Sequence, residues 1–229
     1  MPGRKRLVAV LLACASGAGL AVPATGHAAA LIFGSSLSAP ATVAEAHPVD
    51  AAFWDVSLAA GSVPSAPASG QVTAIRLKGI ALSSGNKAPL TQVHFQVLRP
   101  RGGGSVKVIA TSNTLKVPAS GDPNQVSTFH PVNFCVHKGD FVDFNDAGGF
   151  DHAAYPNGVP YQMFAHVTGS VTDFFSKAGG TLNGASFTGA PRQGEELLMQ
   201  MSLATGTSAT PLCGGSGHGK KHRKHRKHH

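Results

Sequence analysis

The chain has 229 residues and a formal net charge of +8, yet only 13% of its residues are charged. Nine of the nineteen basic residues lie in residues 4–6 and 218–229, so the body between them carries ten basic and eleven acidic residues, about −1 in all. A body this close to neutral lacks the basic surface that nucleic acid requires, which excludes nucleic acid as its partner.

Residues 1–30 have the pattern of a secretory signal peptide. Arg4-Lys5-Arg6 form a positive start, an apolar stretch follows over 7–22, and small residues precede Ala30. The pattern predicts cleavage after Ala30, or after Ala28 as second choice, and a soluble, secreted protein. Two alternatives stay open: a membrane anchor, for which the stretch is short and rich in Gly and Ala, and lipid attachment at Cys14.

The body predicts an all-β fold of about eight to ten short strands, which is typical of an antiparallel sandwich with one wet face. Residues 31–50 and 60–70 are rich in Ala, Ser and Pro and are predicted to be irregular, and 170–191 to be a long loop. Strands are predicted, in chain order, over 52–58, 71–78, 92–98, 105–111, 126–136, 141–145, 161–167 and 196–203. We therefore expect a signal peptide at 1–30, an irregular segment at 31–50, a β-sandwich at 51–213 and a disordered tail at 214–229.

Three segments carry a resemblance to a known family: Gln71–Gly79, Val93–Pro100 with its Leu-Arg-Pro turn, and Phe134–Asn145 with its Lys-Gly-Asp turn. In them the chain resembles a group of secreted actinobacterial proteins. The resemblance spans residues 50–205 and implies a single jelly-roll-like β-sandwich of unassigned function. Its motifs are structural, so it carries over no catalytic residue, and the tail lies outside it.

The three cysteines become two once the leader is removed: Cys135 and Cys213. Export to an oxidising compartment allows one disulfide between them. The spacing of two cysteines does not show that they meet in space, so the bridge stays an open expectation.

Acidic side chains gather at Asp140, Asp143 and Asp146, with Asp151 beyond them. An oxygen-rich loop of this kind can hold calcium, although the spacing does not match an EF-hand loop. The alternative is that Asp140 and Asp146 cap turns through hydrogen bonds to the backbone.

Three aromatic residues are candidates for a sugar-binding platform: Trp54, Tyr155 and Tyr161. A tryptophan in a strand is more often part of the core, whereas Tyr155 lies in a Tyr-Pro-Asn-Gly turn and is expected to be the most exposed of the three. These residues would support a lectin-like module.

The C-terminal tail follows a Gly-rich hinge and contains no apolar residue after position 218, so it is expected to be disordered. Its basic residues predict binding to an anionic polymer such as a wall phosphopolymer or acidic glycan; they are Lys220, Lys221, Arg223, Lys224, Arg226 and Lys227. Its imidazoles suggest a transition metal instead, at His222, His225, His228 and His229. Neighbouring cations oppose a bound metal ion, so we favour the polymer; a solubilising tail without a specific partner is the third interpretation.

Motifs for catalysis are absent from the sequence: there is no His-Glu-x-x-His and no Gly-x-Ser-x-Gly, and the only glutamates are Glu45, Glu195 and Glu196. We therefore expect a secreted, monomeric, non-enzymatic β-sandwich without a resident cofactor, associated with the cell envelope through its tail. The alternatives are a lectin-like module and a hydrolase with its site in the loops from Asp146 to Tyr161.

Overall fold

A computed structural model describes residues 30–47, 50–59, 61–146, 155, 158–206 and 213. These residues form fifteen strands and one short 3-10 turn at Gly102–Gly104. The strands are β1 Leu31–Gly34, β2 Val43–His47, β3 Ala51–Ser57, β4 Gly70–Lys78, β5 Ile80–Ala81, β6 Gln92–Pro100, β7 Ser105–Thr111, β8 Leu115–Lys116, β9 Val126–Phe129, β10 Cys135–Val136, β11 Phe141–Asn145, β12 Val159–Ser176, β13 Ser186–Thr188, β14 Ala190–Leu197 and β15 Met199–Ala204. Within this part of the chain, no helix has the length and apolar character needed to cross a membrane.

The strands form two antiparallel sheets that curl and pack face to face as a sandwich, which confirms the predicted fold class. The smaller sheet has the order β1-β15-β4-β10, with β9 also beside β4. The larger sheet has the order β13-β7-β6-β11-β3-β12-β14, with β2 and β5 also beside β12 and β8 beside β6.

The apolar side chains that alternate with polar ones along the strands form the core between the sheets. Val93, Phe95 and Val97 of β6 are fully buried there, and Met199 and Met201 of β15 meet them from the smaller sheet. Removal of such apolar side chains from water is the main force that holds two sheets together.

The outer face of the larger sheet is also covered, contrary to the expectation of one wet face. Trp54, Leu98 and Val108 form a second buried cluster there with Phe187 of β13. The chain returns over this face after β12, and Phe187 stacks on Phe175 with ring centroids 4.3 Å apart. A returning strand therefore replaces water on this face.

Two segments expected to be irregular form strands. In the 31–50 segment, β1 pairs with β15 and β2 with β12, so the folded domain begins at Leu31 and not at residue 51. In the 170–191 segment, β12 continues to Ser176 and β13 and β14 follow. Composition misled both predictions because distant partner strands supply the hydrogen bonds that override weak local preference.

The β12–β14 ribbon bends sharply. Its register is irregular between His166 and Val171. Phe164 and Phe174 lie on opposite sides of this irregularity, yet both rings contact Phe53, at centroid distances of 5.2 Å and 6.3 Å. The bend brings β2 and β14 onto the same side of the domain.

Candidate functional site

Asp140 closes the His137–Asp140 turn. Its Oδ2 accepts a hydrogen bond from the His137 backbone N–H at 2.7 Å, which confirms the turn-capping interpretation for Asp140. For Asp146 that interpretation is wrong, because its side chain accepts a hydrogen bond from Ala51, 95 positions away. Arg99 donates to both carboxylate oxygens, from Nε and Nη2, each at 2.9 Å. The carboxylate is buried and already satisfied, so it is not available as a free calcium ligand.

Asp143 and Asp146 are fully buried and are held by different strands. Asp143 accepts a hydrogen bond from the backbone N–H of Gln96, and Asp146 accepts one from Ala51. Burial raises the pKa of Asp143 well above its usual range and that of Asp146 to about 8. Burial thus disfavours the ionised form of both carboxyls, whereas calcium selects ionised oxygens.

The three aspartates do not converge on one calcium site. Among the residues that the structure describes, no three His, Cys, Asp or Glu side chains are grouped so as to hold a metal ion. Asp151, the fourth acidic residue of the predicted loop, lies outside the described residues.

The proposed sugar platform is buried. Trp54 and Tyr161 are 0% and 1% exposed, which agrees with the core interpretation of Trp54 and rules out Tyr161 as a stacking surface. Tyr155 was expected to be exposed, and this is wrong: it is 8% exposed and its hydroxyl donates to the Ala88 carbonyl at 3.0 Å. Apolar burial around the rings overrides the local turn signal.

Cys135 and Cys213 form a disulfide, with 5.5 Å between their Cα atoms. Cys135 lies in β10, at the edge of the smaller sheet, so the bridge attaches the C-terminal end of the domain to this edge. The bond joins residues that are 78 positions apart, which is why spacing alone left it undecided.

A cleft of about 510 Å³ lies beside the disulfide. Both cysteines line it, together with Arg99 and Ile109 from the larger sheet and His137 from the turn after β10. Because Ile109 is 37% exposed, the cleft has a partly apolar wall.

The charged side chains around this cleft are mostly basic. Arg99 lines it, although Asp140 neutralises its charge. Lys107 is the cross-strand partner of Arg99, so the two side chains lie on the same face of the sheet, and Lys138 is exposed directly after His137. Neither lysine lines the cleft itself; the two lie next to the lining residues Arg99 and His137, and we call them its basic rim. Positive charge placed there can attract an anion.

The tail residues proposed for polymer or metal binding, 218–229, lie outside the described residues. Its hinge begins at Gly214, directly after the disulfide cysteine. Cys213, the last described residue, lies at the disulfide edge and lines the cleft.

Sequence reasoning missed an ionic cluster between β2 and β14. Arg192 donates to Glu45 at 2.6 Å, its guanidinium lies 4.3 Å above the ring of Phe174, and His47 packs on the same ring. Glu195 is buried beside them, and burial and the neighbouring Glu45 charge raise its pKa to about 7. Two glutamates 150 positions apart gave no local signal; only the bend of β12 brings them together.

Two more buried acids have purely protein partners. Asp55 accepts hydrogen bonds from the Thr172 hydroxyl and the Leu197 backbone N–H, and burial raises its pKa well above its usual range. Glu196 accepts from the hydroxyls of Ser35 and Ser170 at 2.6 Å and 2.7 Å. Asp55 thus joins β3 to β12 and β14, and Glu196 joins β14 to β12 and to the residue after β1. Both acids satisfy polar groups that would otherwise be buried without partners.

The described geometry therefore offers a cleft with a basic rim and a half-buried Glu–His–Arg cluster. Comparison with known proteins adds no relative: no family model matches the chain, and neither a curated protein nor a solved structure matches it.

Proposed function

We propose that this protein is an exported, non-enzymatic β-sandwich of the jelly-roll kind that binds anionic polymer at the cell envelope through its basic tail. The observation that carries the proposal is the placement of charge. The folded body is close to neutral, and six Lys and Arg residues follow in the sequence after Cys213, which the disulfide attaches to the edge that holds the cleft.

Export is supported by the position of the first strand. β1 begins at Leu31, the residue after the expected cleavage position, so cleavage after Ala30 leaves all the described strands intact. An oxidising compartment also favours the Cys135–Cys213 bond.

The mechanism is release of counterions from the polymer. Each Lys or Arg that neutralises a phosphate frees a condensed cation, and a protein with six such contacts loses on the order of a thousandfold in affinity between 50 and 200 mM salt. Lys107 and Lys138 extend this positive surface onto the folded domain. The buried aromatic rings, in contrast, leave the lectin alternative without a platform.

The experiment compares retention of residues 31–229 on purified cell walls at 50 and 200 mM salt with that of three variants. The first lacks residues 218–229; the second has the six tail Lys and Arg replaced by Gln; the third has His222, His225, His228 and His229 replaced by Gln. We expect the first two variants to be lost from the walls and the third to be retained. Retention without the six charges would reject the polymer proposal, and loss in the histidine variant alone would favour a metal-binding tail.

A second candidate, hydrolysis, is favoured by one observation: burial beside Glu45 raises the pKa of Glu195 to about 7, and both Arg192 and His47 form ion pairs with Glu45. A carboxyl whose pKa is raised toward neutrality by burial is suited to act as a general acid in hydrolysis. Glu45 of this pair is the cross-strand partner of Tyr161, at the C-terminal end of the Asp146–Tyr161 segment that the sequence suggested for a hydrolytic site. Turnover of chromogenic ester or glycoside substrates that is lost in Glu195→Gln would establish hydrolysis, and no turnover by the unmodified protein would reject it for those substrates.

A further inference from the structure

Three neighbouring strands place Trp54, Asp143 and Gln96 side by side on the outer face of the larger sheet. Phe53 pairs with Phe144, so the next residues along, Trp54 and Asp143, are neighbours across β3 and β11. Asp143 in turn pairs with Gln96 of β6. Paired residues point to the same face, so the three side chains form one row, which we call the polar row.

Residues 177–189, here called the outer cover, close over this row. The Thr181 carbonyl accepts a hydrogen bond from Gln96 Nε2 at 2.8 Å, and Asn183 Oδ1 accepts one from the Thr111 hydroxyl at 2.7 Å. At its far end the cover contains Phe187, whose ring lies 5.8 Å from that of Trp54. The cover is thus attached to the sheet by hydrogen bonds at one end and by aromatic packing at the other.

The cover fits closely at Gly189. A Cβ atom there would lie 2.6 Å from Oδ2 of Asp173 and 2.7 Å from the indole of Trp54. A side chain of any size would therefore push the cover away from the sheet. The polar row is closed off from bulk water, and its three residues and Thr181 are at most 2% exposed.

Four polar atoms beneath the cover have no hydrogen-bond partner: Trp54 Nε1, Asp143 Oδ2, Gln96 Oε1 and Thr181 Oγ1. Buried polar atoms are paired in the great majority of folded proteins, and each one left unpaired costs about 1–3 kcal/mol. Trp54, Asp143 and Gln96 occupy neighbouring positions, and the Thr181 carbonyl is hydrogen-bonded to Gln96, so one shared partner can satisfy several of these atoms. That partner must accept a hydrogen bond from the indole N–H and also donate one to the amide oxygen of Gln96.

We propose that the polar row and the outer cover enclose a binding site for ordered water that bridges Trp54, Asp143 and Gln96. Water is the smallest neutral molecule that both donates and accepts, and buried waters typically make about three hydrogen bonds to such atoms. The burial-raised pKa of Asp143 supports a neutral guest, because a protonated carboxyl attracts no cation. The internal water completes the attachment of the cover to the sheet, a role separate from the function proposed for the tail.

Trp54 is the only tryptophan in the chain, so its indole N–H gives a single, assignable signal in a ¹⁵N-labelled sample. We expect a nuclear Overhauser cross-peak between this proton and water. Its sign should be the one that a long-lived bound water molecule gives. An indole proton that is protected from solvent exchange but shows no such cross-peak would overturn the proposal. A protein atom would then have to accept the hydrogen bond of the indole N–H directly.

Three variants identify the origin of the cross-peak. Gln96→Met removes an acceptor of the site and should abolish or strongly weaken the signal, while Gln200→Met, a matched change in the smaller sheet, should leave it unchanged. Thr181→Val removes a hydroxyl that exchanges with solvent, and the cross-peak should persist. Loss in Thr181→Val with retention in Gln96→Met would assign the signal to the hydroxyl and contradict bound water. Should Gln96→Met fail to fold, the unmodified protein and Thr181→Val still decide between these outcomes.

Discussion

Raising the pH from 5 to 7 should destabilise this domain strongly. Burial raises the pKa of Asp146 to about 8, whereas an unfolded aspartate titrates near 3.9. Between pH 5 and 7 the folded state therefore holds a proton that the unfolded state has lost, and the free energy of unfolding falls by about 1.4 kcal/mol per pH unit. Asp146 alone accounts for about 2.7 kcal/mol over this range. Burial also raises the pKa values of Asp55 and Asp143, so these two residues likewise lower the stability of the domain as the pH rises.

Urea denaturation followed by Trp54 fluorescence at pH 5, 6 and 7 measures this slope. Asp146→Asn mimics the neutral acid and keeps an acceptor for the Ala51 N–H, so it should reduce the slope by about 1.4 kcal/mol per pH unit. The matched change Asp122→Asn, at an exposed aspartate, should leave the slope unchanged. A domain whose stability rises or stays constant from pH 5 to 7 would refute the conclusion that these acids are protonated when folded.

Three further predictions concern stability. Replacing both disulfide cysteines by serine opens a loop of 78 residues and should cost about 4.5 kcal/mol in urea denaturation, while an effect below 1 kcal/mol would show that the bridge does not constrain the unfolded chain. Arg99→Met leaves the Asp140 carboxylate buried without its cation and should cost about 2 kcal/mol; the loss should largely vanish when Asp140 is also replaced by Asn, and equal losses in both would contradict the pairing. Gly189→Ala should cost about 1–3 kcal/mol because its Cβ meets Asp173 and Trp54, whereas Gly102→Ala, with open space around it, should be neutral in thermal denaturation.

Strands in which apolar and polar residues alternate were predictable from the sequence, because one face of each strand packs against the core. Val93, Phe95 and Val97 show this directly: each is buried, and the polar residues between them point the other way. The turn at Asp140 was predictable for a local reason as well, since its hydrogen bond spans only three residues.

The rest depends on distant pairings. Trp54 was correctly assigned to the core, but its neighbours Asp143 and Gln96 come from strands about 90 and 40 positions away, and no local pattern places them together. Glu45 and Glu195 meet only because β12 bends. The outer cover was predicted as a loop because its Gly and Asn residues mark turns, whereas Phe187 within it supplies the apolar contact that holds it on the sheet.

The salt dependence of binding to linear polyphosphate tests the central claim most directly. For residues 31–229, log K plotted against log salt concentration should have a slope of about −4 to −5, as six neutralised phosphates require. The variant with the six tail Lys and Arg replaced by Gln should give a slope no steeper than about −2, since at most Lys107 and Lys138 of this surface still neutralise phosphates. A shallow slope in the unmodified protein, or the same steep slope in the variant, would contradict attachment to anionic polymer through the tail.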